Sequence, residues 1–131
     1  MLTRILTVFF IFIFVSLGYQ DNSQINNDIV SALNNDDITS INKYFKGFVS
    51  LSINNKNDFL EAQPTKERLK NFLKKHPSIK FFIDKSGVTG ENYYIIGRFK
   101  NGKSVWSSYF LFSPDPKGLF IQQIEIQKEF Y

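Results

Sequence analysis

Cysteine is absent from the 131 residues. That excludes disulfides, thiolate metal centres and a cysteine nucleophile, and it excludes lipid attachment to a cysteine at a cleavage site. Histidine occurs once, as His76, so neither a histidine-based metal spacing nor a confident Ser/His/Asp arrangement can be assembled. Its place just before Pro77, with no carboxylate near it in sequence, reads as a half-buried last-turn residue meeting free helix carbonyls rather than as a general base. No glycine-rich phosphate loop is present; Gly97, Gly102 and Gly118 read as close packing or turns. Asp36-Asp37 reads as helix N-capping rather than a calcium loop. A large charge imbalance is also missing. The net charge of +4 supports no claim about the surface as a whole. The expected chain therefore has no catalytic residue, no metal and no cofactor.

The N-terminus is informative. Met1-Leu2-Thr3-Arg4 carries one positive charge, Ile5 to Val15 is apolar except for Thr7, and Ser16 and Gly18 place small residues at −3 and −1 of a cut before Tyr19. That order predicts a secretory signal peptide over residues 1–18 and a single domain over 19–131. An uncleaved anchor is the competing reading. Ile5 to Leu17 would make a helix of only about 20 Å, short of the roughly 20 apolar residues that span a bilayer. The protein is thus expected to be exported, periplasmic or secreted. Two alanines against twelve asparagines and thirteen lysines suggest AT-rich coding and a bacterial source.

Aromatic residues are abundant, with 15 Phe, 6 Tyr and 1 Trp, enough for a dense core without covalent staples. Ile25, Ile29 and Leu33 recur at helical spacing, and Ile38, Ile41 and Phe45 predict a second helix capped by Asp36. Val49, Leu51 and Ile53 alternate as a strand, and Asn54 to Asn57 read as a turn. Leu69, Phe72, Leu73 and His76 predict a third helix, opened by Pro64-Thr65 and ended by Pro77. Four β segments follow, Ile79–Asp84, Tyr93–Lys100, Ser104–Phe112 and Leu119–Lys128, with Asn101-Gly102 as a hairpin signal. Helices first and a meander last is an α+β pattern.

The strings IVSALNNDDITSINKYF, GFVSLSI, TKERLKNFLKKHP, YYIIGRF and LFIQQIEIQ together resemble NTF2-like domains over about residues 25–128. They resemble in particular an uncharacterised NTF2-like family of short exported bacterial proteins, a domain of unknown function. The resemblance implies a cone, with three N-terminal helices packed on a curved antiparallel sheet. Such folds host isomerases, dehydratases and many non-enzymatic binding modules, so the fold does not choose among them.

Sheet parity then assigns side chains to the cone interior. The inward sets are Ile79, Phe81, Ile83; Tyr93, Ile95, Gly97, Phe99; Trp106, Ser108, Phe110, Phe112; and Phe120, Gln122, Ile124, Ile126. A bulge would invert part of any strand. The candidate ligand-lining residues are Tyr93, Ser108, Gln122, Trp106 and Phe110. No Asp, Glu or His is among the inward residues, whereas enzymes of this fold generally place one there. The outer face receives Phe82, Tyr94, Ile96, Tyr109 and Leu111, joined by Leu119 and Ile121. That is an apolar surface expected to pair two copies as a homodimer. The basic helix from Lys66 to Lys80 reads as a solvated face; contact with a membrane surface is its weaker alternative. Nucleic acid is not an expected partner, because stacking aromatics are missing from that surface. The functional expectation is a non-enzymatic domain binding a small apolar ligand or a partner protein. The alternatives are an isomerase- or dehydratase-type enzyme using the cavity, and a structural dimer with a filled cone.

Export has a direct check. N-terminal sequencing of protein from the native host should find a mature start at or within a few residues of Tyr19, in a non-cytoplasmic fraction. Intact Met1 on cytoplasmic protein would contradict it.

Overall fold

The computed structural model describes residues 22–129, so the expected signal segment lies outside the described residues. Helix α1 (Ser23–Asn34) leads into a 3-10 helix (Ile38–Tyr44), strands β1 (Phe48–Ile53) and β2 (Lys56–Glu61), and helix α2 (Ala62–Lys75). Strands β3 (Lys80–Thr89), β4 (Asn92–Asn101), β5 (Ser104–Asp115) and β6 (Gly118–Lys128) complete the chain. One sheet runs β2-β1-β6-β5-β4-β3. The expected arrangement needs two corrections. The third helix lies between β2 and β3 rather than ahead of the sheet, and the sheet is mixed, because β1 lies parallel to β6 with Leu51 opposite Ile124. Parallel neighbours need a long connection, and here it is supplied by β2, α2 and the three strands β3 to β5.

Local chemistry explains the elements. Asn54 and Asn55 both adopt positive φ, at 52° and 71°, which makes a tight two-residue hairpin turn. The turn therefore ends at Asn55, and Lys56–Glu61 becomes an edge strand along β1. Its Lys, Asn, Asp and Glu side chains are those tolerated at a sheet edge. The second helix winds as 3-10, with three residues per turn. Burial accordingly falls on Ile38, Ile41 and Tyr44, and Phe45, the residue expected from α-helical spacing, is only half-buried. Pro64 sits in the first turn of α2, where its missing N–H costs nothing.

Helices and sheet share one core. Ile25, Ile29, Ala32 and Leu33 of α1, the 3-10 residues, and Leu69 and Phe72 of α2 pack with Val49, Leu51, Ile95, Phe99, Phe110, Phe112 and Ile124. Full burial of each of the larger of these side chains contributes about 1.5–3 kcal/mol. Two β-bulges reset the faces. The first is at Asp84, between the pairs Ile83–Gly97 and Lys85–Ile96. The second is at Gln122, between the pairs Phe112–Ile121 and Leu111–Gln123.

Phe81 is anchored at both ends. Its N–H donates to Asn34 Oδ1 at 2.8 Å, and its carbonyl accepts from Asn34 Nδ2 at 3.1 Å. Its ring lies over Gly97, where an added Cβ would come within 2.7 Å of the ring and 2.5 Å of the Phe82 carbonyl oxygen. Gly97→Ala should therefore lower stability by about 1–3 kcal/mol through overpacking, in spite of the smaller unfolded-chain entropy that favours alanine. Urea unfolding checks it, and an unchanged or higher midpoint would contradict the close approach.

Candidate functional site

The interior of the cone is occupied by its own rings. Phe81, Phe99, Phe110 and Phe112 are fully buried. Phe81 contacts Phe99 at 4.9 Å and Phe110 at 5.9 Å between ring centres. Of the expected lining residues, Tyr93, Trp106, Ser108 and Phe110 do face inward and are buried. Gln122 does not. It is the bulged residue of β6, lies exposed, and accepts a hydrogen bond from Ser113 Oγ. The same bulge turns Phe120 to the outer parity and buries Ile121 fully, so Ile121 and Leu119 leave the expected outer set. Ser108 Oγ and Trp106 Nε1 are buried without a hydrogen-bond partner among the described residues. Such a state costs about 1–3 kcal/mol per group.

Beside α1, two small polar networks close the cone. Asn26 bridges β3 and β4, donating to Ser86 Oγ at 3.0 Å and accepting from the Tyr93 hydroxyl at 2.6 Å. Tyr44 donates to Asp28, which also accepts from Gln24 and pairs with Lys43 at 3.0 Å. Burial raises the Asp28 pKa, but the hydrogen bonds from Tyr44, Lys43 and Gln24 outweigh it and hold the carboxyl below its ordinary range. Tyr44 is pushed well above the ordinary phenol range, by burial and then by Asp28. The carboxylate stays ionised and the phenol protonated across neutral pH, so the pair cannot exchange protons as an acid and base would.

A cleft of about 470 Å³ opens between the C-terminal half of α2, the β1–β2 turn and the start of β5. Ile53, Phe72, His76 and Trp106 form its apolar walls, and Asn54, Lys56, Arg68, Asn71 and Lys75 its rim. The imidazole of His76 packs 4.8 Å from the Phe72 ring and 4.9 Å from the Trp106 ring, between centres. Burial, and then the charges of Lys128 and Lys75, lower its pKa below 6.5. The sequence places His76 at a helix end, as found. It does not reveal the cleft, because Trp106 and His76 meet only once α2 has docked.

The outer face carries the five expected apolar residues. Tyr94 stands directly opposite Leu111, and Ile96 opposite Tyr109. Phe82 is 49% exposed and Ile96 39%. A second outer patch went unpredicted because β2 did. Phe48 and Phe59 stack at 5.0 Å and 14° while remaining largely exposed.

A profile of a domain of unknown function, DUF4783, matches residues 26–127. The chain is similar to a DUF4783 family protein from Bacteroides uniformis, with TM-score 0.71 and 21% identity over 80% of this chain and 97% of that one. A DUF4783 family protein from Bacteroides ovatus gives TM-score 0.71 and 17% identity over 79% and 94%. An NTF2-like protein of unknown function from Shewanella baltica gives 0.62 and 11% over 83% and 91%. At these identities the structural likeness establishes the fold, an NTF2-like α+β arrangement. No curated protein matches the sequence.

The lowered pKa of His76 fixes a sign. As pH falls below about 6.5 the unfolded chain takes up this proton before the folded one. Stability is therefore full above 6.5 and declines as pH falls through the folded value. The decline should be measurable by urea unfolding at pH 7.5 and 5.5, and smaller in His76→Gln. An identical pH dependence in the variant would contradict the reading.

Proposed function

The chain belongs to the DUF4783 family, and we propose that it is an exported, non-enzymatic binding domain that works as a homodimer. The filled interior, which is also what a structural dimer would show, supports the non-enzymatic part of this reading, and the open cleft beside α2 supports the binding part. Where enzymes of this fold generally hold an Asp, Glu or His, the described chain packs Phe81 against Phe99 and Phe110, and Phe112 against Tyr44 and Tyr93. The polar groups nearest that core favour binding over chemistry. The Tyr93 hydroxyl is committed to Asn26, and Asp28 and Tyr44 are locked in opposite protonation states. With the lumen closed to a substrate, a small ligand is left with the rim of the cone.

The outer sheet face supports self-association. Tyr94, Ile96, Tyr109 and Leu111 adjoin one another across β4 and β5, and Phe82 of β3 stands on the same face beside Arg98. A two-fold axis through it lets the patch meet itself. A stable interface needs about 800 Å² per partner, with large aromatics near its centre as anchors. The Asp84–Arg98 ion pair, with contacts of 2.7 and 2.8 Å, borders Phe82 and gives the patch a polar rim.

Light scattering of the mature protein at tens of micromolar should report a dimer. Tyr109→Asp should yield a folded monomer, because Tyr109 lies outside the monomer core. A wild-type monomer would overturn the self-association. Native mass spectrometry of protein purified from its host tests the binding role: a co-purified small molecule is expected. Turnover of such a molecule by the purified protein would overturn the non-enzymatic reading.

A further inference from the structure

We propose that the cleft between α2, the β1–β2 turn and β5 is a seat for a small organic acid, an apolar or aromatic body carrying one carboxylate-class group. The inference rests on the binding-domain reading and adds the chemistry of the ligand. A volume of about 470 Å³ lies within the 300–1,000 Å³ typical of small-molecule sites. Its walls are the side chains of Ile53, Phe72 and Trp106 and the imidazole of His76, surfaces on which an apolar body loses water.

Three observations specify the acid. First, Trp106 is only 6% exposed, yet its Nε1 has no hydrogen-bond partner among the described residues. An indole N–H is a donor only; buried as it is, it meets an acceptor in the cleft once the Trp106 ring shifts toward it. Second, the charges at the cleft are cationic. Lys56 and Lys75 line it, and Lys128 Nζ stands 5.9 Å from the centre of the Trp106 ring. Arg68 is already paired with Asp58, which leaves the lysines to meet an incoming anion. Among the described residues no carboxylate lines the cleft, and Asp58 is taken up by Arg68. Third, burial and then these same lysines, Lys128 and Lys75, lower the pKa of His76, which puts their charge at the imidazole wall of the cleft. The last turn of α2 opposes this with about half a negative charge; three lysines outweigh it. Attraction to exposed lysines is screened by salt, so acid selectivity is expected to be strongest at low ionic strength.

The test uses mature protein labelled with nitrogen-15 and two probes of one shape, 3-phenylpropionate and the neutral 3-phenylpropionamide. The chain has one tryptophan, so one indole N–H resonance reports the cleft. The acid should move that resonance downfield in a saturable way and bind about tenfold or more tighter than the amide, a difference of about 1.4 kcal/mol. The double variant Lys56→Gln/Lys75→Gln, at exposed positions, should keep its dispersed spectrum and its amide affinity while the acid preference falls below about threefold. Equal binding of acid and amide would overturn the acid specificity and leave an apolar site standing. Acid binding that does not move the indole resonance would overturn the placement. Failure of both probes, with a different small molecule found on protein from the host, would overturn this inference and leave the binding role intact.

Discussion

The ring of Phe81 lying in the space of a missing side chain at Gly97 is the contact on which the rest of the molecule depends. The Asn34 amide takes both the N–H and the carbonyl of Phe81, so the end of α1 completes the hydrogen bonding of an edge strand. With the backbone held there, the ring reaches across β4 to Phe99 and on to Phe110 of β5. Helix, edge strand and sheet centre thus converge on one side chain. Each buried aromatic pair adds about 0.5–1.5 kcal/mol beyond its area, a substantial share of the stability of a small domain without disulfides.

Filling the cone has a functional consequence. In the proposed reading, a lumen packed with phenylalanine leaves recognition to the outer surfaces of the domain. At one end the Asn26 and Asp28 networks tie α1 and the 3-10 helix to the sheet, and their groups satisfy one another. At the other end the contacts are less complete. Trp106 packs edge to face with Phe72 and His76, its N–H is left over, and among the described residues the lysines nearby outnumber the one carboxylate, Asp58, that pairs with Arg68. The two ends therefore differ in chemistry: one is satisfied and closed, the other open and short of an acceptor.

Much of this was legible in the sequence where alternation is strict. Strands β4 and β5 alternate without interruption, and every residue assigned inward on them is buried. Strand β6 alternates too, but the extra residue at Gln122 flips what precedes it. A bulge of this kind leaves no mark on a hydrophobic pattern, because Leu119-Phe120-Ile121 is apolar at every position. Strand β2 was illegible because its sequence, KNDFLE, is polar. It is extended because the Asn54-Asn55 turn delivers it to β1. The parallel β1–β6 pairing is a long-range fact with no local signature, whereas the place of α2 after the first strand could be read from the order of the segments. For the same reason the inward direction of Trp106 could be read, whereas its meeting with His76 could not.

The central claim is that the cone is closed by its own aromatic rings and that binding belongs at the rim. Crystals of the mature protein placed under xenon pressure test it most directly, because xenon enters apolar cavities that no water fills. The account predicts no xenon among Phe81, Phe99, Phe110 and Phe112, and tolerates it only against Trp106 and Phe72 at the open end. A xenon atom at high occupancy between Phe81 and Phe110 would reveal a lumen able to take a ligand, and would contradict the account.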